Sequence, residues 1–228
     1  MNRLLLLAPL MTALAVPATA QTLLSLSVTG AATAAPDEAV AQFEIQATNP
    51  DAAKAQETVN QLVTKALAAA HAVANVTITT GRYSTYKIMP DQQEKATFTA
   101  QQNLTLTQPA AGGVPDAAFT SLLAKLQSDG LLLVGLSGDL SPAGTEKLQR
   151  RAVHNALIQL RAEANSIAGD LHEKVGNLQS LSVNGGDNIV PPVGPRMMAM
   201  AAAAPQSAPD NITISARVSA KIEIKPES

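Results

Sequence analysis

Three thioethers within four residues, Met197, Met198 and Met200, are the side chains whose type and spacing most directly suggest chemistry. Thioether sulfur is a soft ligand suited to Cu(I), and exposed methionine takes up oxidant reversibly as the sulfoxide. The same residues also read as packing elements, because methionine adapts to irregular apolar surfaces. On that second reading Pro192, Met197, Met198 and Met200 are contacts between subunits or fillers of an apolar groove, or the segment around them has no fixed structure.

Other candidates for chemistry lack partners in the sequence. His71, His154 and His172 are the three histidines and the strongest general-base candidates. No recognised motif sets a serine or an acid beside any of them. His154 follows Arg150 and Arg151 by one helical turn, and His172 sits where a helix end favours a cation. Glu163 and Asp170, seven residues apart, fall near one helical face, but a working carboxylate pair needs converging geometry, and a solvated face explains the spacing. Tyr83 and Tyr86 with Arg82 and Lys87 have the composition of a single-strand stacking platform, which the net acidity opposes. They are read as packing at a strand end. Gly185, Gly186 and Asn188 are not followed by Gly-Lys-Ser/Thr, which excludes a phosphate loop.

Composition narrows the field further. The 228 residues contain no Cys, which excludes a disulfide frame, a thiolate zinc site, a Cys nucleophile and a lipoprotein anchor. Sixteen Lys+Arg against 18 Asp+Glu give a net charge of −2, without the basic excess of nucleic-acid proteins. With 46% hydrophobic residues, there is enough apolar material for a packed core.

Residues 1–20 read as a secretory signal: Arg3, an apolar run from Leu4 to Val16, and Ala18-Thr19-Ala20 as the cleavage site before Gln21. Its removal takes away one positive charge, and no later segment is apolar and long enough to span a bilayer. The expected address is the periplasm of a Gram-negative cell.

The remaining chain, 21–228, alternates between periods of two and 3.6. Leu24, Leu26 and Val28 mark a strand, and Val40–Thr48 a second; the two are expected to pair as a long-loop hairpin. Asn49-Pro50-Asp51 opens a helix, with Asn49 as cap, Pro50 in the first turn and Val59, Leu62, Val63, Ala66, Leu67 and Ala70 on one face. Val76–Tyr86 and Ala96–Gln108 make a second hairpin. A helix from Pro115-Asp116, a strand over Leu131–Leu140 and a long helix from Ser141-Pro142 to about Leu171 follow. The stripe of the long helix is Leu148, Ala152, Ala156, Leu160, Ala164, Ile167 and Leu171. Strands over Lys174–Val183 and Ile212–Ile224 flank a Pro- and Met-rich loop, 185–210. The order β-β-α-β-β-α-β-α-β-β implies an α+β fold, mostly antiparallel sheet built of hairpins with helices on one face.

In that order the chain resembles the SIMPL-domain family, which includes exported oxidative-stress-defence and periplasmic immunogenic proteins. The resemblance rests on Val28-Thr29-Gly30 with Pro36-Asp37-Glu38-Ala39, on Val76–Thr80 with Tyr83-Ser84, on Ala164–Gly169 with Val175-Gly176, and on Met197–Ala201 before the last strand. Ala32 stands where the family often has a second glycine, and Thr97-Phe98 where it often has Gly-Tyr. The resemblance implies no catalytic residues and no cofactor. It implies a non-enzymatic periplasmic protein that forms homo-oligomers and contributes to envelope maintenance or oxidative-stress defence. The rival expectation is a binding module for a small apolar ligand or Cu(I), with the Met-rich loop as its lid.

Overall fold

Ile212, Ile214, Ala216, Val218, Ala220, Ile222 and Ile224 alternate without a break, and all are buried. A strand with one apolar row must cover that row with another layer. In the computed structural model, which describes residues 22–89, 96–189 and 209–226, the covering layer is a helix. The elements run β1 (Thr22–Ala34), β2 (Glu38–Asn49), α1 (Ala52–His71), β3 (Thr77–Ile88), β4 (Thr97–Pro109), a single 3-10 turn, α2 (Ala117–Ser128), β5 (Leu132–Asp139), α3 (Pro142–Asp170), β6 (Glu173–Ile189) and β7 (Ile212–Pro226). The α+β class and the order of elements are those implied by the sequence.

The strands divide between two antiparallel sheets, one ordered β1-β7-β6 and the other β3-β4-β2-β5. The expected hairpin of β3 and β4 forms. The hairpin expected of β1 and β2 does not. Instead β1 pairs along its whole length with β7, while β2 lies between β4 and β5 in the other sheet. The two strands serve different cores. Val28 and Ala32 of β1 pack with α3, whereas Ala39, Ala41, Phe43 and Ile45 of β2 pack in the core shared with α1 and α2. The connector between them is also clamped into the second sheet: the Asp37 amide donates to the Asp139 carbonyl (2.9 Å), and the Ala110 amide donates to the Asp37 carbonyl (2.8 Å).

Helix α1 starts two residues later than expected. Asp51 is its cap, accepting from the Ala53 amide at 2.8 Å, and the Asn49 side chain accepts from the Asp51 amide instead of capping the helix. Ala55, Val59, Val63, Ala66 and Ala70 are buried, while Leu62 and Leu67 are only partly so.

The buried positions of α3 recur at every fourth residue: Leu148, Ala152, Ala156, Leu160, Ala164 and Ala168. Such a row is inclined to the helix axis. It therefore passes through Ala168 and leaves Ile167 partly covered and Leu171 exposed, against the expected stripe. Alanine at four of these positions lets the helix descend close to the sheet. At the closest point the strand residue is Gly30, where an added Cβ would lie 2.2 Å from the Ala156 nitrogen and 2.5 Å from the Ala152 carbonyl oxygen. Asn155 completes the contact by donating to the Ala31 carbonyl at 2.8 Å.

Gly30→Ala therefore forces backbone apart from backbone. It should lower stability by about 2–4 kcal/mol, the scale of a severe overpacking defect. Gly135→Ala, where a Cβ would meet nothing within 4 Å, should change stability little. Urea unfolding of both variants checks this, and equal midpoints would contradict it.

Candidate functional site

The residues singled out by chemistry do not converge. Pro192, Met197, Met198 and Met200 lie outside the described residues, as does the signal segment 1–20. His71 is the last residue of α1, His154 lies midway along α3, and His172 follows α3 with a φ of 55°. All three are exposed. Glu163 and Asp170 are both exposed, separated by about 10 Å of helix rise. Tyr83 pairs with Gln102 and Tyr86 with Thr99, positions on opposite faces of β4, so the two rings share no stacking surface. They are 40% and 44% exposed rather than packed at a strand end. Gly185 lies against the Gln149 side chain of α3, and a Cβ there would come 2.3 Å from its Nε2. Among the described residues, no group of three or more His, Asp or Glu could hold a metal ion.

The surface feature that does stand out lies between α3 and β6. Val175, Leu178, Leu181 and Val183 are opposite Ile224, Ile222, Ala220 and Val218 of β7. Cross-strand partners share a face, so these four side chains point to the side where α3 packs. The helix covers β1 and β7 and stops short of the β6 row, which stays 37% to 53% exposed. At the Val183 end of the row, α3 presents Val153, His154 and Leu157, and the groove between them and Val183-Gly185 measures about 570 Å³. Arg150 and Glu146, paired one turn apart, stand at its rim. Register breaks next to Val175, Leu178 and Gly185 bend the strand and widen the trough.

A second concentration of polar groups joins the two sheets. The Asp37 carboxylate accepts from the Ser141 amide at 2.5 Å and from the Ser141 hydroxyl at 2.9 Å. The Ser141 hydroxyl oxygen in turn accepts from the Gly144 amide at 3.0 Å, capping α3. Negative charge is favoured at a helix start. Gly144 is required here, since its Cβ would lie 2.4 Å from Asp37 Oδ2. Gly113 and Gly138 admit Pro36 and Pro209 into the same joint. These groups bind one another and tie the first turn of α3 to the connector between the sheets.

The chain matches, over residues 24–222, the family model SIMPL, described as a protein of unknown function (DUF541). It belongs to the SIMPL family. The match runs from β1 to β7 and so takes in both sheets. A search of curated proteins gives no match. The residues by which the SIMPL resemblance was read now have physical duties. Gly30 admits α3, Asp37 anchors its first turn, and Ala39 lies fully buried in the four-stranded half. Gly176 lets β6 approach β7, since a Cβ there would come 2.9 Å from the Glu223 carbonyl oxygen. Sequence reasoning weighs His154 alone among these residues and misses Val153, Leu157, Val175, Leu178, Leu181 and Val183 as site residues. The available signal was the i, i+4 pair Val153/Leu157, which lies beside the main stripe of α3.

The joint contains a built-in opposition. Glu38 lies directly across from Asp139 and next to Asp37. Partial burial, then Asp37 and Asp139, raise its pKa above the ordinary glutamate value. A raised folded-state pKa means that the ionised form burdens the folded state, so stability falls as pH climbs through that pKa. Asp116 behaves in the opposite way. Its pKa is lowered by the Phe119 amide first and by Gln108 next, so its contribution is present at neutral pH and lost in acid. Glu38→Gln should raise stability at pH 7 by about 0.2–1 kcal/mol, the scale of a like-charge cross-strand pair. The gain should vanish once both carboxyls are protonated. Asp37→Ala should lower stability by about 1–2 kcal/mol by removing the cap partner. Thermal melts across pH read out both variants; a gain from Glu38→Gln that persists in acid would refute the charge origin.

Proposed function

We propose that this SIMPL protein is an exported, non-enzymatic subunit that works as a homo-oligomer in the periplasm, serving envelope maintenance or defence against oxidative stress. The observation that carries the assembly reading is the partly exposed apolar row Val175, Leu178, Leu181 and Val183, whose Val183 end meets Val153 and Leu157 in the groove. Contiguous exposed apolar surface with a polar rim is the mark of an interaction site. The wide separation of the histidines favours a binding rather than a catalytic role: about 24 Å of helix rise separates His154 from the end of α3 at Asp170, His172 lies beyond that end, and His71 lies on another element. The export reading rests on residues 1–20, and the stress role on the family resemblance.

The test is the solution mass of the protein exported from a Gram-negative host, measured by size-exclusion chromatography with light scattering. A uniform oligomer is expected, falling to a smaller species for Leu178→Glu/Leu181→Glu with the circular dichroism spectrum retained. A wild-type monomer at high concentration would overturn the assembly reading. The 570 Å³ groove would then be read as the seat of a small apolar ligand.

A further inference from the structure

Among the described residues both sheets are open, and an unpaired edge strand is a template for another strand unless charge, proline or a bulge blunts it. Three of the four edges carry such devices. β3 contains Arg82 and Lys87 and breaks register between Thr80 and Tyr83. β5 ends in Asp139, and its pairing slips opposite Gln42 and Phe43. β6 opens with Glu173-Lys174 and breaks register in three places. β1 has none of these. Thr22–Ala34 contains no charged residue and no proline, and its register with β7 is unbroken over all 13 residues.

The direction of its free backbone groups follows from side chains. Ser27 Oγ lies 3.0 Å from Ser219 Oγ, and Thr33 Oγ1 lies 2.9 Å from Thr213 Oγ1. Such close cross-strand contacts mark non-hydrogen-bonded pairs, whose N–H and C=O groups point away from the partner strand. The Ala31 carbonyl agrees, since it receives the Asn155 side chain rather than β7 alone. By alternation, Leu23, Ser25, Ser27 and Thr29 aim their backbone groups at the open edge. Asn155 occupies that edge at Ala31, so the stretch left unpaired among the described residues is Thr22–Thr29.

We propose that Thr22–Thr29 pairs antiparallel with the same stretch of a second copy, joining two three-stranded sheets into one of six strands. The proposal rests on the homo-oligomer reading and names one interface within it. The strand is its own complement. Leu24, Leu26 and Val28 alternate with Ser25, Ser27 and Thr29, so antiparallel self-pairing continues the apolar row on one face and the hydroxyl row on the other. Leu24 and Leu26 are only partly covered by α3, and their counterparts from the second copy would close over them. The chain carries net negative charge, yet no register of β1 on β1 opposes like charges. A two-fold contact of this kind closes on itself.

The chain has no cysteine, so one introduced thiol reports one place. Ser25→Cys, Ser27→Cys and Thr29→Cys are made singly in the full exported protein, with Thr213→Cys on the same face of the central strand as control. Under mild oxidation at least one β1 thiol should form disulfide dimers about tenfold faster than the control, as the high effective concentration across a two-fold pair requires. Independently, Ser25→Lys/Ser27→Lys should halve the mass of the assembly, while Thr213→Lys/Ser215→Lys, with the same added charge, should not. An assembly that keeps its mass in the β1 lysine variant, with no β1 thiol cross-linking faster than the control, overturns the strand pairing and leaves the homo-oligomer reading standing. A monomeric wild type overturns both.

Discussion

The structure depends on the approach of α3 to β1 at Gly30. Backbone meets backbone there, with no room for a side chain. That contact sets the height of the helix above the three-stranded sheet, and the alanines at 152, 156, 164 and 168 are the sizes that height permits. It also sets lateral position. Seated on β1 and β7, the helix leaves the row on β6 uncovered, and the groove follows as a geometric remainder. The Asp37 carboxylate then pins the first turn of the same helix to the connector between the sheets. One helix thus roofs one half of the molecule and is tied by its first turn to the other.

This arrangement gives a physical meaning to the motifs that run through the chain. Val28-Thr29-Gly30 and Pro36-Asp37-Glu38-Ala39 mark the two ends of the α3 attachment. Their residues are a close-packing glycine, a buried proline and a helix-start carboxylate. None is aimed into a cleft. A fold whose signature residues serve as joints can carry different surfaces on the same frame, and here the described surfaces include an apolar groove and an unguarded strand edge.

Much of the fold was legible. The alternation of β7, the turn chemistry at Ser141-Pro142 and the β3–β4 hairpin are local signals, and local signals survive in sequence. The partner of β1 was not legible, because its mate lies far along the chain and a nearer strand with the same alternation competes for it. The bulges of β6 left a faint trace: Val175, Leu178 and Leu181 are spaced by three, which a regular strand cannot place on one face. The candidate site was legible only in part. Leu178 and Leu181 were recognisable as apolar, but their exposure depends on where α3 comes to rest, and Gly30 decides that. The methionines that drew attention first lie outside the described residues.

On the proposed pairing, the three-stranded sheet, covered on one face and with one edge free of charge, proline and bulge, is half of a larger sheet. Completion of that sheet by another copy is the central claim, and hydrogen–deuterium exchange of the β1 amides tests it most directly. In the concentrated protein, peptides covering Thr22–Thr29 should exchange as slowly as the central strand β7 and speed up on dilution into the dissociating range. Exchange of the edge-directed amides at one fast rate, whatever the concentration, would contradict it.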